Sequence, residues 1–353
     1  MFSTEALERP PSAEEMRAAR EHRKATSPGA KPLVIGLIAV VAALIFANVA
    51  FNVGRIVLEM FTPEGEGPGL LAWVVWGLPV LLAATIVTAA VRNFRGLRRR
   101  EAHLLAFARA NGLDYLPEQS GVPEDLHATV LRQGDRQKVL DLVRSSGQLK
   151  ALGTLRWTSE GSGDSSDSHY ELGFMTWRLP RRLPQVVIDQ RDRRAASTAT
   201  ATHLNKKSQT LSMGEPFDSR FTIFVPAGVE QAAFQLFPPN VLEKLMQLSP
   251  GWDVEILGDE LSLFASQPFE LESPRFWRSV EEVGQGLVSD ISRISQRMID
   301  SKVREHADVV AFGSQVLARR RFSGAGIGCL VVFGVFFLSV LAFVVYMWSQ
   351  MGR

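Results

Sequence analysis

Cysteine is almost missing from this 353-residue chain: Cys329 stands alone. An intrachain disulfide is therefore excluded, and a thiolate metal site would need further ligands. The histidines (His22, His103, His127, His169, His203 and His306) form no HxxxH or HxH pair. Strong charge of either sign is lacking too, with 39 Lys and Arg against 37 Asp and Glu. Residues 92–323 carry 31 basic and 29 acidic side chains, and without the arginine clusters at both ends the balance turns acidic. A nucleic-acid reader would show a basic surplus, so nucleic acid is excluded as a partner. Phosphate-binding loops, dinucleotide fingerprints, nucleophile elbows, H-E-x-x-H and C-x-x-C are all absent. The sequence thus assigns no catalytic residue, no cofactor and no metal ligand.

Charge is also absent from three long apolar runs, 33–53, 70–91 and 325–348. At ~1.5 Å per residue, helices of that length match the ~30 Å hydrocarbon core of a bilayer. A cleaved leader would have a shorter core nearer the N-terminus. Trp73, Trp76, Tyr346 and Trp348 sit near run ends, where amphipathic rings favour an interface. Pro79 predicts a kink. The flanks are basic on one side: Arg9, Arg17, Arg20, Arg23, Lys24 and Lys31 before the first run. Arg92, Arg95, Arg98, Arg99 and Arg100 follow the second, and Arg319, Arg320 and Arg321 precede the third. The positive-inside pattern then predicts a multi-pass protein of the inner (plasma) membrane.

The predicted organisation is a mostly mobile cytoplasmic arm (1–31), in which 14–23 has the i,i+4 charge pairs of a short helix, then transmembrane helix 1 (32–53), an external loop (54–69) and transmembrane helix 2 (70–91). A cytoplasmic α+β domain (92–323), transmembrane helix 3 (324–348) and an external tail (349–353) complete it. The two arginine clusters are expected to contact lipid headgroups. Asn48 and Asn52, at i,i+4, are expected to form an interhelical contact. Gly324 and Gly328 form a GxxxG half outside the run, a weak packing signal. Cys329 reads as a small apolar helix residue, with acylation as the alternative. No ionisable group lies within a run, which argues against a conduit.

Residues 92–111 keep helical spacing and extend the helix of the second run into the domain, with Gly112 placed to end it. Residues 137–144, 150–157, 170–179, 185–190 and 220–225 read as strands, and 228–237 and 240–248 as short helices. Trp252, Val254 and Ile256 alternate with Asp253 and Glu255, and Gly258-Asp259 predicts a hairpin turn within 252–265. Ser273-Pro274 opens a long helix whose apolar stripe includes Val280, Leu287 and Ile291. Elements mixed without βαβ alternation predict a mainly antiparallel sheet with helices. The acids near Ser162–Ser168 lack the spacing of a calcium loop. The pairs Asp253/Glu255 and Asp259/Glu260 are expected on a solvated face rather than in an acid–base site.

The stretch 214–265, with Phe217, Asp218, Phe221, Ala232, Phe237, Pro239 and Asp253, resembles a family of uncharacterised bacterial membrane proteins known as a domain of unknown function. The upstream YELGFMTWRLPRRLPQVVIDQ is similar to that family as well, so the resemblance spans roughly 170–265. Pro238 departs from the hydroxyl residue often found before the helix-starting proline. The resemblance implies an α+β domain beside membrane runs and carries no activity. The functional expectation is a membrane-anchored, non-enzymatic interaction or scaffold protein presenting its domain at the inner leaflet. Its partners would be the lipid bilayer and a protein partner or a second copy of the chain. The alternative is a membrane-bound enzyme whose site is assembled from scattered polar residues of the domain.

Overall fold

A computed structural model describes residues 2–26, 70–132, 134–159, 168–190, 208–248, 252–298 and 319–321. They fall into two compact units, one of Met1–Glu118 with Glu270–Arg278 and one of Gln119–Phe269 with Ser279–Arg353.

The first unit is helical. Short α1 (Glu5–Glu8) and α2 (Ala13–Thr26) pack against α3 (Leu70–Ala110). The short helix that the i,i+4 charge pairs of 14–23 allow is part of α2. Its start is a capping box: Glu15 N donates to Ser12 Oγ (3.1 Å) and Ser12 N to Glu15 Oε2 (2.6 Å). Arg9 grips the same carboxylate with both Nη atoms, at 2.9 and 2.5 Å. Arg9 first, and Ser12 second, hold Glu15 down at about 2. The Asn111 side chain bonds both backbone groups of Ser3, accepting at 2.7 Å and donating at 3.0 Å. Phe2 then lies edge-on to Trp277 (5.2 Å), whose indole also contacts Phe107 (4.3 Å) and donates to Leu271 O (2.8 Å). Helix α3 ends as Gly112 predicts: φ of +63° there lets Leu113 N reach Ala108 O at 2.8 Å.

Among the described residues, no helix is long and apolar enough to cross a membrane. This corrects the expectation of three transmembrane helices and of a multi-pass inner-membrane location. The second run is continuous with the helix expected over 92–111: both belong to one 41-residue helix that runs through Arg92, Arg95, Arg98, Arg99 and Arg100 to Ala110. The stretches 32–53, 54–69, 324–348 and 349–353, with Asn48, Asn52, Gly324, Gly328 and Cys329, lie outside the described residues.

Strand β1 (Asp114–Ser120) leads out of the first unit. The second is the expected α+β arrangement on an antiparallel sheet. Strands β2 (Asp135–Arg144) and β3 (Leu149–Ser159) pair with each other, and β3 pairs with the 23-residue β4 (Ser168–Gln190). β5 (Ser208–Leu211) pairs with β6 (Phe221–Pro226), which follows the turn α4 (Phe217–Arg220) and pairs with the end of β4. Helices α5 (Glu230–Leu236) and α6 (Pro239–Met246) come next. β7 (Trp252–Ala265) runs along β4, and β8 (Arg319–Arg321) pairs with His169–Glu171. A strand has two edges, and residues 173–177 of β4 pair with β3 and β7 at once. Hence β4 is the spine of the sheet, with β3 and β6 along one edge and β7 along the other.

Two strand predictions merge in β4, although Pro180 and Pro184 lie between them. Both prolines fall where the β4–β7 register shifts, the positions at which a missing N–H costs no ladder bond. The predicted hairpin within 252–265 is corrected in the same way. Gly258, at φ +58°, pairs with Leu183 across that irregularity, and β7 continues as one strand. The final helix begins at Pro274 as α7 (Pro274–Val283), passes through a π turn (Gly284–Val288) and ends as α8 (Ser289–Arg297). Both glycines of the π turn face neighbours: a Cβ at Gly284 would lie 3.4 Å from Trp177 Nε1, and one at Gly286 3.7 Å from Lys244. Both distances are ordinary van der Waals contacts, so packing does not require glycine at either position.

Candidate functional site

The carboxylates expected on a solvated face are buried. Asp253, Glu255 and Glu260 are 7%, 1% and 1% exposed, whereas Asp259 is exposed. Glu255 and Glu260 are five residues apart, and strict alternation would put them on opposite faces. The irregularity at Gly258 resets that parity, and both reach the same segment, residues 125–132. Glu260 accepts from His127 N at 2.8 Å, from His127 Nδ1 at 3.0 Å and from Lys150 Nζ at 2.6 Å. Glu255 accepts from Thr129 N at 3.0 Å, Thr129 Oγ1 at 2.7 Å and Gln185 Nε2 at 2.9 Å.

The same segment is held from the neighbouring strands. Lys150, itself 7% exposed, also donates to Asp125 O. Arg144 Nη2 reaches Asp125 Oδ2 at 2.6 Å, and Gln137 Nε2 donates to Leu131 O at 2.9 Å. Two buried acids thus satisfy backbone donors that would otherwise be orphaned inside the protein. A carboxylate carrying three donors is an anchor, with little acceptor capacity left for a substrate proton. His127 is the most open member, its side chain 53% exposed.

The positions that carry the family resemblance are structural as well. Asp218 gathers Ser212 Oγ (2.5 Å), Met213 N (2.9 Å) and Gly214 N (3.1 Å), and Phe217 stacks on Phe221 at 4.9 Å. Asp253 accepts from Gln190 N at 2.9 Å. Ala232 and Phe237 are buried, and Pro239 opens α6.

A second ionic centre ties α6 to α8. Asp290 accepts from Asn240 Nδ2 (2.9 Å), Lys244 Nζ (2.5 Å) and Arg293 Nη2 (2.5 Å). The Lys244 bond, with Asn240 and Arg293 behind it, holds this carboxyl below its ordinary value. A carboxyl lowered on folding stabilises the fold above its unfolded pKa (about 3.9), and that stability drains as pH falls through the lower folded value. Asp290→Asn is therefore expected to lower stability at pH 7 and to flatten the acid limb below about pH 4. Urea melts from pH 2 to 7 check this, and an unchanged acid limb would remove the ion pair as its cause.

Arg92, Arg95, Arg98, Arg99 and Arg100 all lie on α3, but in different settings. Arg98 stacks over Phe94 at 4.1 Å, and burial, then Arg20 and Arg23, lower its pKa. Arg92, Arg99 and Arg100 line an open groove with Asn93, Gly96, Leu97, His103 and Glu272. Arg319, Arg320 and Arg321 form β8, paired through their backbone. Among the described residues no group of three or more His, Cys, Asp or Glu is placed to hold a metal ion.

No family model matches the chain, and no curated protein does. Among solved structures, one that it resembles is the crystal structure of the mycobacterial trehalose monomycolate transport factor A, TtfA. The match has 14% identity and a TM-score of 0.35, and covers 57% of this chain and 94% of that one. A likeness this distant transfers neither fold nor role.

Proposed function

We propose that the chain is a non-enzymatic interaction or scaffold protein whose α+β unit offers a rigid surface to a protein partner or to a second copy of itself. The observation that supports this reading is the state of Glu255 and Glu260. The acids best placed for proton transfer are saturated by backbone and side-chain donors and hold residues 125–132 on the sheet. A surface so fixed loses little conformational entropy on docking. Phe234, 47% exposed on α5, is an apolar point on that surface.

A photo-crosslinking residue at position 234 of the full chain, irradiated in the native cells, is expected to yield one discrete adduct, either with a single protein or with a second copy. Phe234→Asp should abolish it. The second reading is an enzyme using His127, held by Glu260 and half open to solvent. Absence of any adduct, together with a metabolite consumed by the wild type and spared by His127→Ala, would replace the first reading by the second.

A further inference from the structure

The groove on α3 has a composition that a merely solvated helix face does not need. Helical periodicity brings Arg92, Gly96, Arg99, Arg100 and His103 to one side, at i, i+4, i+7, i+8 and i+11. Among the described residues, the acid that lines the groove with them is Glu272, 3.4 Å from His103 Nδ1. The groove is open to solvent and offers about 560 Å³, a volume within the range of small-molecule sites. Gly96 lines it, in the middle of a long helix where glycine is unfavourable. A Cβ there would meet nothing within 4 Å, so packing does not require the glycine. It keeps the space between the arginines open.

We propose that this groove binds a small soluble anion carrying two phosphoryl groups, one on each side of Gly96. Arg92 lies about 10 Å along the helix from Arg99, at ~1.5 Å per residue. Their long side chains can converge on a diphosphate lying over the glycine. The guanidinium fork matches phosphoryl oxygens two at a time, and the oxygens offset the repulsion among the clustered cations. Carboxylate ligands of similar size carry less charge and fewer acceptors, so they should bind more weakly. Arg95 and Arg98 take no part, since neither lines the groove. The site lies wholly in the first unit and is independent of the partner proposed for the second.

The test is calorimetric titration of the full chain with inorganic pyrophosphate, with acetate as the control anion. Wild type should bind pyrophosphate saturably and acetate not measurably. Gly96→Leu should keep or raise the melting temperature, since leucine is the better helix former. It should also weaken pyrophosphate binding at least tenfold by filling the groove. Arg99→Gln should cost about ten- to hundredfold, the loss of one charge-assisted pair. Arg109→Gln, in a separate cleft with Ser3 and Glu5, should bind as wild type does. Equal binding by Gly96→Leu and wild type would overturn the proposal, as would pyrophosphate binding no tighter than acetate. Should Gly96→Leu fail to fold, the Arg99→Gln and Arg109→Gln comparison decides.

Discussion

Glu260→Ala is expected to destabilise the α+β unit by about 3–5 kcal/mol, the cost of leaving a buried charge without its partner. Lys150 Nζ would lose the carboxylate at 2.6 Å and keep Asp125, through its backbone O and a carboxylate 3.8 Å away. His127 N would lose its acceptor at the same time. The double replacement Lys150→Met with Glu260→Leu separates these effects. It removes both charges and takes a partner from the His127 N–H and from Asp125 O, two neutral groups, so it should cost about 1–3 kcal/mol. Urea unfolding of the two variants and wild type reads the difference directly. A single-variant loss below about 1 kcal/mol would show that the pair is not buried in solution.

Gly173→Ala comes second, at about 1–3 kcal/mol or more, from overpacking with no way out. A Cβ at this position would lie 2.8 Å from Gln267 O and 3.1 Å from the Phe269 ring. The oxygen belongs to the backbone just beyond β7, so relief requires a shift of the chain and not of a side-chain tip. Residue 173 also pairs with Thr154 on one edge and Ala265 on the other, which holds β4 in place. Thermal melts should place Gly173→Ala several degrees below wild type. Gly96→Ala should not fall, since that Cβ points into open space. Equal melting temperatures for Gly173→Ala and wild type would rule out the close approach.

Much of this was legible locally. The end of α3 at Gly112, the Pro274 start of α7 and the apolar strands β2, β3 and β6 follow from turn chemistry and residue type within a few positions. The capping box of Ser12 and Glu15 was equally legible as S-x-x-E, and it marks the start of the helix that the charge pairs of 14–23 allow. The continuation of the second run's helix through 92–111 was legible too, and α3 runs on to Ala110. The reading of 70–91 as a span is overturned because no helix among the described residues is long and apolar enough to cross a membrane. Alternation misjudged Glu255 and Glu260 because it assumes an uninterrupted period of two.

The sequence by itself determined the mixed class of the second unit, the composition of its sheet and the absence of familiar catalytic motifs, since each rests on residues near one another in the chain. Only the tertiary structure decided that β7 is one strand and that its acids are buried anchors. A single positive-φ glycine reverses the faces of every residue after it, and the partners of Glu260 and Glu255 at His127 and Thr129 are 133 and 126 residues away. Contacts across such separations depend on the register of the sheet, which local pattern does not encode.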